Sequence, residues 1–108
     1  MKRGDVITVA LQGDLGKPRP ALIIQADVVP ATFRTVTLLP ITGTIEAAPL
    51  FRITIEPSGA NGLKKVSQVM VDKTMTHPRD RIGQVVGTLE PETMLRVTRS
   101  LATWLGIG

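Results

Sequence analysis

Hydrophobic and polar positions alternate with a period of two over most of the chain. The clearest case is Leu50-Phe51-Arg52-Ile53-Thr54-Ile55-Glu56: Phe51, Ile53 and Ile55 share one face, and Leu50, Arg52, Thr54 and Glu56 share the other. This predicts a strand with the first face in the core. Residues 5–11, centred on Val6-Ile7-Thr8-Val9, are rich in β-branched side chains and predict a first strand. Residues 19–26 predict a second. It is apolar without a break from Ala21 to Ile24, so both of its faces are expected to be buried. Residues 35–42 alternate before an apolar end, and Pro40 is expected to place that end at a sheet edge or a bulge. Residues 64–72 alternate again, with Val66, Gln68, Met70 and Asp72 against Ser67, Val69 and Val71; residues 84–89 predict one more short strand.

The stretches between are polar and punctuated by glycine or proline. Residues 12–16 form a glycine-rich loop that must reverse the chain, and residues 27–32 predict a connection with one helical turn capped by Asp27. Residues 43–49, 57–62 and 74–83 read as loops, the last holding His77, Pro78 and Arg79-Asp80-Arg81. The period then changes. Pro91 between Glu90 and Glu92 suits a helix start, and Met94, Val97, Thr98, Leu101, Trp104 and Leu105 follow at helical spacing. Glu92, Arg96, Arg99 and Thr103 take the opposite side. The expected fold is mainly β: five or six strands in a small, partly open antiparallel barrel, closed by one C-terminal amphipathic helix.

Composition narrows the function classes. The 108 residues suit one domain, 1–108, and 43% hydrophobic with 20% charged residues argues against disorder. Phe33, Phe51 and Trp104 are the only aromatics, too few for a base-stacking platform, so the core must come from Val, Ile, Leu and Met. Thirteen Lys and Arg against nine Asp and Glu give a net charge of +4, which suits a polyanionic or acidic partner. With no cysteine, disulfides, thiolate metal sites and cysteine nucleophiles are excluded. No apolar run approaches membrane-spanning length, and a cytoplasmic protein with no membrane partner is expected.

The most distinctive chemistry lies at Gly16-Lys17-Pro18-Arg19-Pro20. Each proline fixes its own φ and biases the residue before it toward extended geometry, so Arg19 stands on a stiff lead-in to the second strand. Its planar fork of donors matches phosphate or carboxylate. His77 is the sole histidine, which rules out two-histidine catalysis; beside Pro78 in a loop, it is expected to be solvated. No His/Asp/Glu set has metal-ligand spacing, so neither a metal nor another cofactor is expected.

Taken in order, Arg3-Gly4-Asp5-Val6, the Arg19-Pro20 pair leading into an apolar strand that ends in Gln25-Ala26-Asp27, Ile41-Thr42, Ser67 and Asp72, and the Leu89-Glu90-Pro91-Glu92 helix start make a pattern. It resembles the MazF/PemK/Kid toxins of bacterial type II toxin–antitoxin systems over essentially the whole chain. The resemblance implies an SH3-like, CcdB/MazF-like barrel and a metal-independent endoribonuclease that cuts single-stranded RNA, commonly messenger RNA, by attack of the substrate's own 2′-hydroxyl. It also implies a homodimer and a cognate antitoxin whose acidic tail blocks the RNA groove. On that likeness Arg19 matches the catalytic arginine, Thr42 the threonine that bonds the phosphate, and Asp72 the acidic residue used as a base in Kid-like members. Lys17, Ser67, Gln68 and Lys73 are expected substrate contacts near the same end.

The chain also departs from the family. Its first loop is several residues shorter than usual and lacks both the Glu-Gln step before the Arg-Pro pair and the histidine of some members; Met70 stands where Kid-like members carry a second arginine. Two alternatives remain open at this level. One is a CcdB-like toxin that binds gyrase, since Trp104-Leu105-Gly106-Ile107 loosely resembles the CcdB C-terminus. The other is a non-catalytic barrel that binds RNA or a protein.

Overall fold

A computed structural model describes residues 1–10 and 17–108. Among these residues the strands are β1 (Asp5–Ala10), β2 (Pro18–Ile23), β3 (Thr35–Thr42), β4 (Arg52–Ile55), β5 (Ser67–Met70), β6 (Met75–Pro78) and β7 (Ile82–Thr88), followed by the helix α1 (Pro91–Leu105). All pairings are antiparallel, in the order β4-β5-β3-β2-β1-β7, and β6 adds to β3 outside that path. The sheet curls without closing, as the expected half-open barrel requires.

β3 is the hub. One of its edges pairs with β2 through Leu38, Leu39 and Pro40; the other pairs first with β6 (Thr35 to Leu38) and then with β5 (Ile41 and Thr42). Pro40 is buried inside the sheet, where an edge or bulge was expected. It is tolerated because it lies between the stretch that meets β6 and the stretch that meets β5.

Both faces of β2 are buried, as its unbroken apolar run predicts. Ala21 and Ile23 join Ile7, Val9, Val36 and Leu38 in one cluster, with Met75 and Ile82 at its margin. Leu22 and Ile24 join Val6, Leu39, Ile41, Ile53, Ile55, Val69 and Val97 in the other. α1 covers this second cluster with Val97, supported by the half-buried Met94 and Leu101. Pro91 opens the helix and Gly106 ends it in the left-handed region (φ 73°), with the N–H of Ile107 bonding Ala102 O at 2.9 Å. Trp104 meets Phe51 edge to face at 5.0 Å, yet it and Leu105 remain about half exposed. The apolar stripe of α1 therefore runs beyond the core.

Other expectations change in the structure. The stretch 74–83, read as a loop, contributes β6, so His77 lies in a strand opposite Val36 and is half-buried. Its Nε2 is buried without a hydrogen-bond partner among the described residues. Asp27 caps no helical turn; its carboxylate accepts the N–H of Arg3 at 2.7 Å. The Arg3 guanidinium in turn bonds Ile24 O and Thr98 Oγ1, fastening the start of the chain to α1. β5 ends at Met70 in a 3₁₀ turn, Val71–Lys73, so Asp72 lies past the strand. The expected loop at 12–16 and Leu11 lie outside the described residues.

Candidate active site

β1 and β2 are in register with Val9 opposite Arg19, and Pro18 and Pro20 flank that pair opposite Ala10 and Thr8. β3 ends beside them. The turn after β3 is closed by the N–H of Thr44, which donates to Thr42 Oγ1 at 3.1 Å. That bond uses an acceptor site of the hydroxyl and leaves its proton for a ligand.

Across from these ends lies the segment 57–66, whose shape is set by Asn61. Its side chain accepts the N–H groups of Ser58 and Leu63 and donates to Glu56 O, all between 2.9 and 3.0 Å, and it is 5% exposed. The segment lies directly on β7: a Cβ at Gly62, whose φ is 69°, would stand 2.2 Å from Val86 O, and one at Gly87 would stand 2.3 Å from the Asn61 carbonyl carbon. Glycine is required at both contacts.

These parts enclose a cavity of about 720 Å³. Arg19, Thr42, Thr44, Lys64, Lys65 and Ser67 supply its polar lining, and Pro20, Pro40, Ile41, Leu63, Met70 and Val86 its apolar walls. Three cations line it with no carboxylate and no imidazole among the described residues. Such a site attracts an anion and can stabilise charge that grows on it.

The cavity gathers only part of the expected set. Arg19, Thr42 and Ser67 meet there. Ser67 is 4% exposed, and its hydroxyl donates to Lys65 O at 2.9 Å. Gln68, 2% exposed, is absorbed in holding the loop after β3: it accepts the N–H of Glu46 and donates to Glu46 O and Thr54 Oγ1. Lys17 and Lys73 are exposed and do not line the cavity. Asp72 does not line it either. Arg52, the cross-strand neighbour of Met70, grips Asp72 through Nε–Oδ1 at 2.7 Å and Nη2–Oδ2 at 3.1 Å, and Glu46 stands 3.6 Å from the same guanidinium. The hydrogen bonds from Arg52 hold the Asp72 carboxyl below its ordinary value, outweighing the opposing effect of burial.

Sequence reasoning missed Lys64 and Lys65. The pattern places them at the start of a strand over 64–72, whereas the strand begins only at Ser67 and both lysines sit in the bend before it; only the Gly-Leu-Lys-Lys run after a glycine-bounded loop could have drawn attention to them. No group of three or more His, Asp or Glu among the described residues is placed to hold a metal ion. No helix among them is long and apolar enough to cross a membrane.

The fold and cavity together define a small mainly-β domain with an anion-attracting site at one end of a half-open barrel. The particular family follows from comparison with known proteins: residues 2–105 match the model of the PemK-like, MazF-like toxins of type II toxin–antitoxin systems, and the chain belongs to that family. A protein of Mycolicibacterium smegmatis described as a "Probable endoribonuclease MazF" is 48% identical over 108 residues, spanning 99% of this chain and 98% of that one. Among solved structures, an endoribonuclease in complex with its cognate antitoxin from a mycobacterial species superposes with a TM-score of 0.83 at 26% identity, over 100% of this chain and 97% of the other. The Mycobacterium tuberculosis toxin MazF-mt6 superposes with a TM-score of 0.82 at 25% identity, over 96% of this chain and 98% of its own.

Proposed function

We propose that residues 1–108 form the toxin of a type II toxin–antitoxin pair, an endoribonuclease that cuts single-stranded RNA in the cytoplasm and so blocks translation. The observation that carries this reading is the convergence of Arg19, Thr42, Lys64 and Lys65 on one cavity at the end of the barrel. In the reaction the 2′-oxygen forms a bond to the adjacent phosphorus and the bond to the 5′-oxygen breaks. The 2′-hydroxyl loses a proton and the departing oxygen gains one, leaving a cyclic phosphate and a 5′-hydroxyl. Negative charge rises on the non-bridging oxygens as the fifth bond forms. Arg19 meets that charge with a fixed fork of donors, and Thr42 offers its hydroxyl proton to the same group. The described lining residues thus position the phosphate and stabilise charge rather than transfer protons. Family membership and this cavity favour RNA cleavage over the gyrase-binding alternative.

An acidic antitoxin segment suits the same cationic surface, and a second copy of the chain suits the apolar end of α1. The test is incubation of purified protein with a long single-stranded RNA in excess chelator, followed by mapping of the fragment ends. Discrete cuts bearing cyclic phosphate and 5′-hydroxyl ends are expected. Arg19→Ala should lower kcat by about 10²- to 10³-fold, the usual effect of removing one preorganised donor. Intact RNA with the wild-type chain, or full activity in Arg19→Ala, would overturn the reading.

A further inference from the structure

Lys65 does more than line the cavity. Its side chain lies over the backbone of Gly43, so closely that a Cβ built at residue 43 would stand 2.3 Å from Lys65 Cε and 2.6 Å from Nζ. Gly43 follows Thr42 directly, inside the turn that the Thr44 N–H closes on the Thr42 hydroxyl. The ammonium therefore lies over the residue next to Thr42, and Thr42 and Arg19 line the same space. No carboxylate among the described residues forms an ion pair with Lys65. Its backbone is fixed by the buried Ser67 hydroxyl, and the turn that delivers it is fixed by Asn61.

We propose that Lys65 is a second catalytic cation of this site, with its ammonium on a non-bridging oxygen of the scissile phosphate, and that Gly43 is present to leave it room. The proposal rests on the ribonuclease reading above. The ground-state phosphodiester carries one negative charge and the five-coordinate transition state carries more. A second cation is thus engaged more strongly as the reaction proceeds, which raises kcat and not only affinity. Gly43 is not in a left-handed conformation, so an alanine there is not strained by its backbone. Its methyl would collide only with the mobile tip of a lysine, which can swing aside. Gly43→Ala is therefore a way to displace the Lys65 ammonium while the lysine itself stays in the chain.

The experiment is single-turnover and steady-state cleavage of RNA by the wild type, Lys65→Met, Gly43→Ala and the double variant, with thermal melting to confirm that each is folded. Lys65→Met and Gly43→Ala should each lower kcat at saturating RNA by about 10- to 100-fold with KM changed far less. The double variant should be no slower than Lys65→Met alone, because Gly43→Ala then has no ammonium left to displace. Unchanged kcat in Lys65→Met, a defect confined to KM, or a double variant whose losses multiply would overturn the proposal. Arg19→Ala keeps the two failures apart. A wild type that cuts RNA, an inactive Arg19→Ala and a fully active Lys65→Met would remove the role of Lys65 and leave the ribonuclease standing.

Discussion

Asp72 shows how the same side chain can be judged differently from sequence and from geometry. Its position suggests a base by resemblance; its surroundings make it one half of a two-point ion pair, with Arg52 11% and Asp72 25% exposed. Hydrogen bonds to a charged partner at this depth contribute more than an exposed surface pair would. Asp72→Asn should destabilise the fold by about 1–2 kcal/mol at pH 7, read by denaturant unfolding. The folded carboxyl titrates below its ordinary value of 3.8, so the pair's contribution is fully present above that value and is lost as pH falls through the folded value. The gap between wild type and Asp72→Asn should therefore narrow as the pH is taken below 4. A gap that stays constant would show that the ion pair is not its source. If a folded Asp72→Asn loses RNA cleavage at temperatures far below its melting point, the role expected from the resemblance would stand instead.

At the scale of elements, the strands that pack on two apolar clusters were legible because burial on a pleated sheet writes a period of two. Phe51, Ile53 and Ile55 face inward as read, and the run from Ala21 to Ile24 feeds both clusters. β6 was not legible. Met75-Thr76-His77-Pro78 has little strand character of its own, and it is extended because the first half of β3 needs a partner on that edge. The turn over 57–66 was half legible: its glycines mark a reversal, but nothing in the spacing shows that it lies on β7 and carries two lysines into the cavity. Arg19 was singled out by proline stiffness and by the family pattern, and Thr42 by the pattern alone, whereas Gln68 and Ser67, expected as substrate contacts, spend their hydrogen bonds on the scaffold. The turn also makes a prediction. Asn61→Ala leaves the N–H groups of Ser58 and Leu63 and the carbonyl of Glu56 without their partner, so it should cost about 2–3 kcal/mol in denaturant unfolding and lower RNA cleavage by loosening the lysines. Wild-type stability would show that water replaces the amide without loss.

For the whole molecule, the distribution of apolar surface argues that one chain is not the working unit. The stripe of α1 buries Val97 and half-buries Met94 and Leu101, but it continues through Trp104 (45% exposed) and Leu105 (51%) to Ile107 (78%), with Leu50 (69%) close by through the Ser100–Leu50 hydrogen bond and the Trp104–Phe51 contact. Exposed apolar side chains gathered at one end of a helix on a small domain mark an interface. We infer that a second copy of the chain covers it, since a closed pair related by twofold symmetry is the commonest way to bury a self-complementary patch. Sedimentation at micromolar concentration should give a dimer. Leu105→Glu with Ile107→Glu should give a folded monomer, because both side chains point away from the core and each buried carboxylate would oppose association by more than the apolar contact it replaces. A dimer that survives both substitutions would move the interface to the free sheet edges at β4 and β7, and a monomeric wild type would remove it.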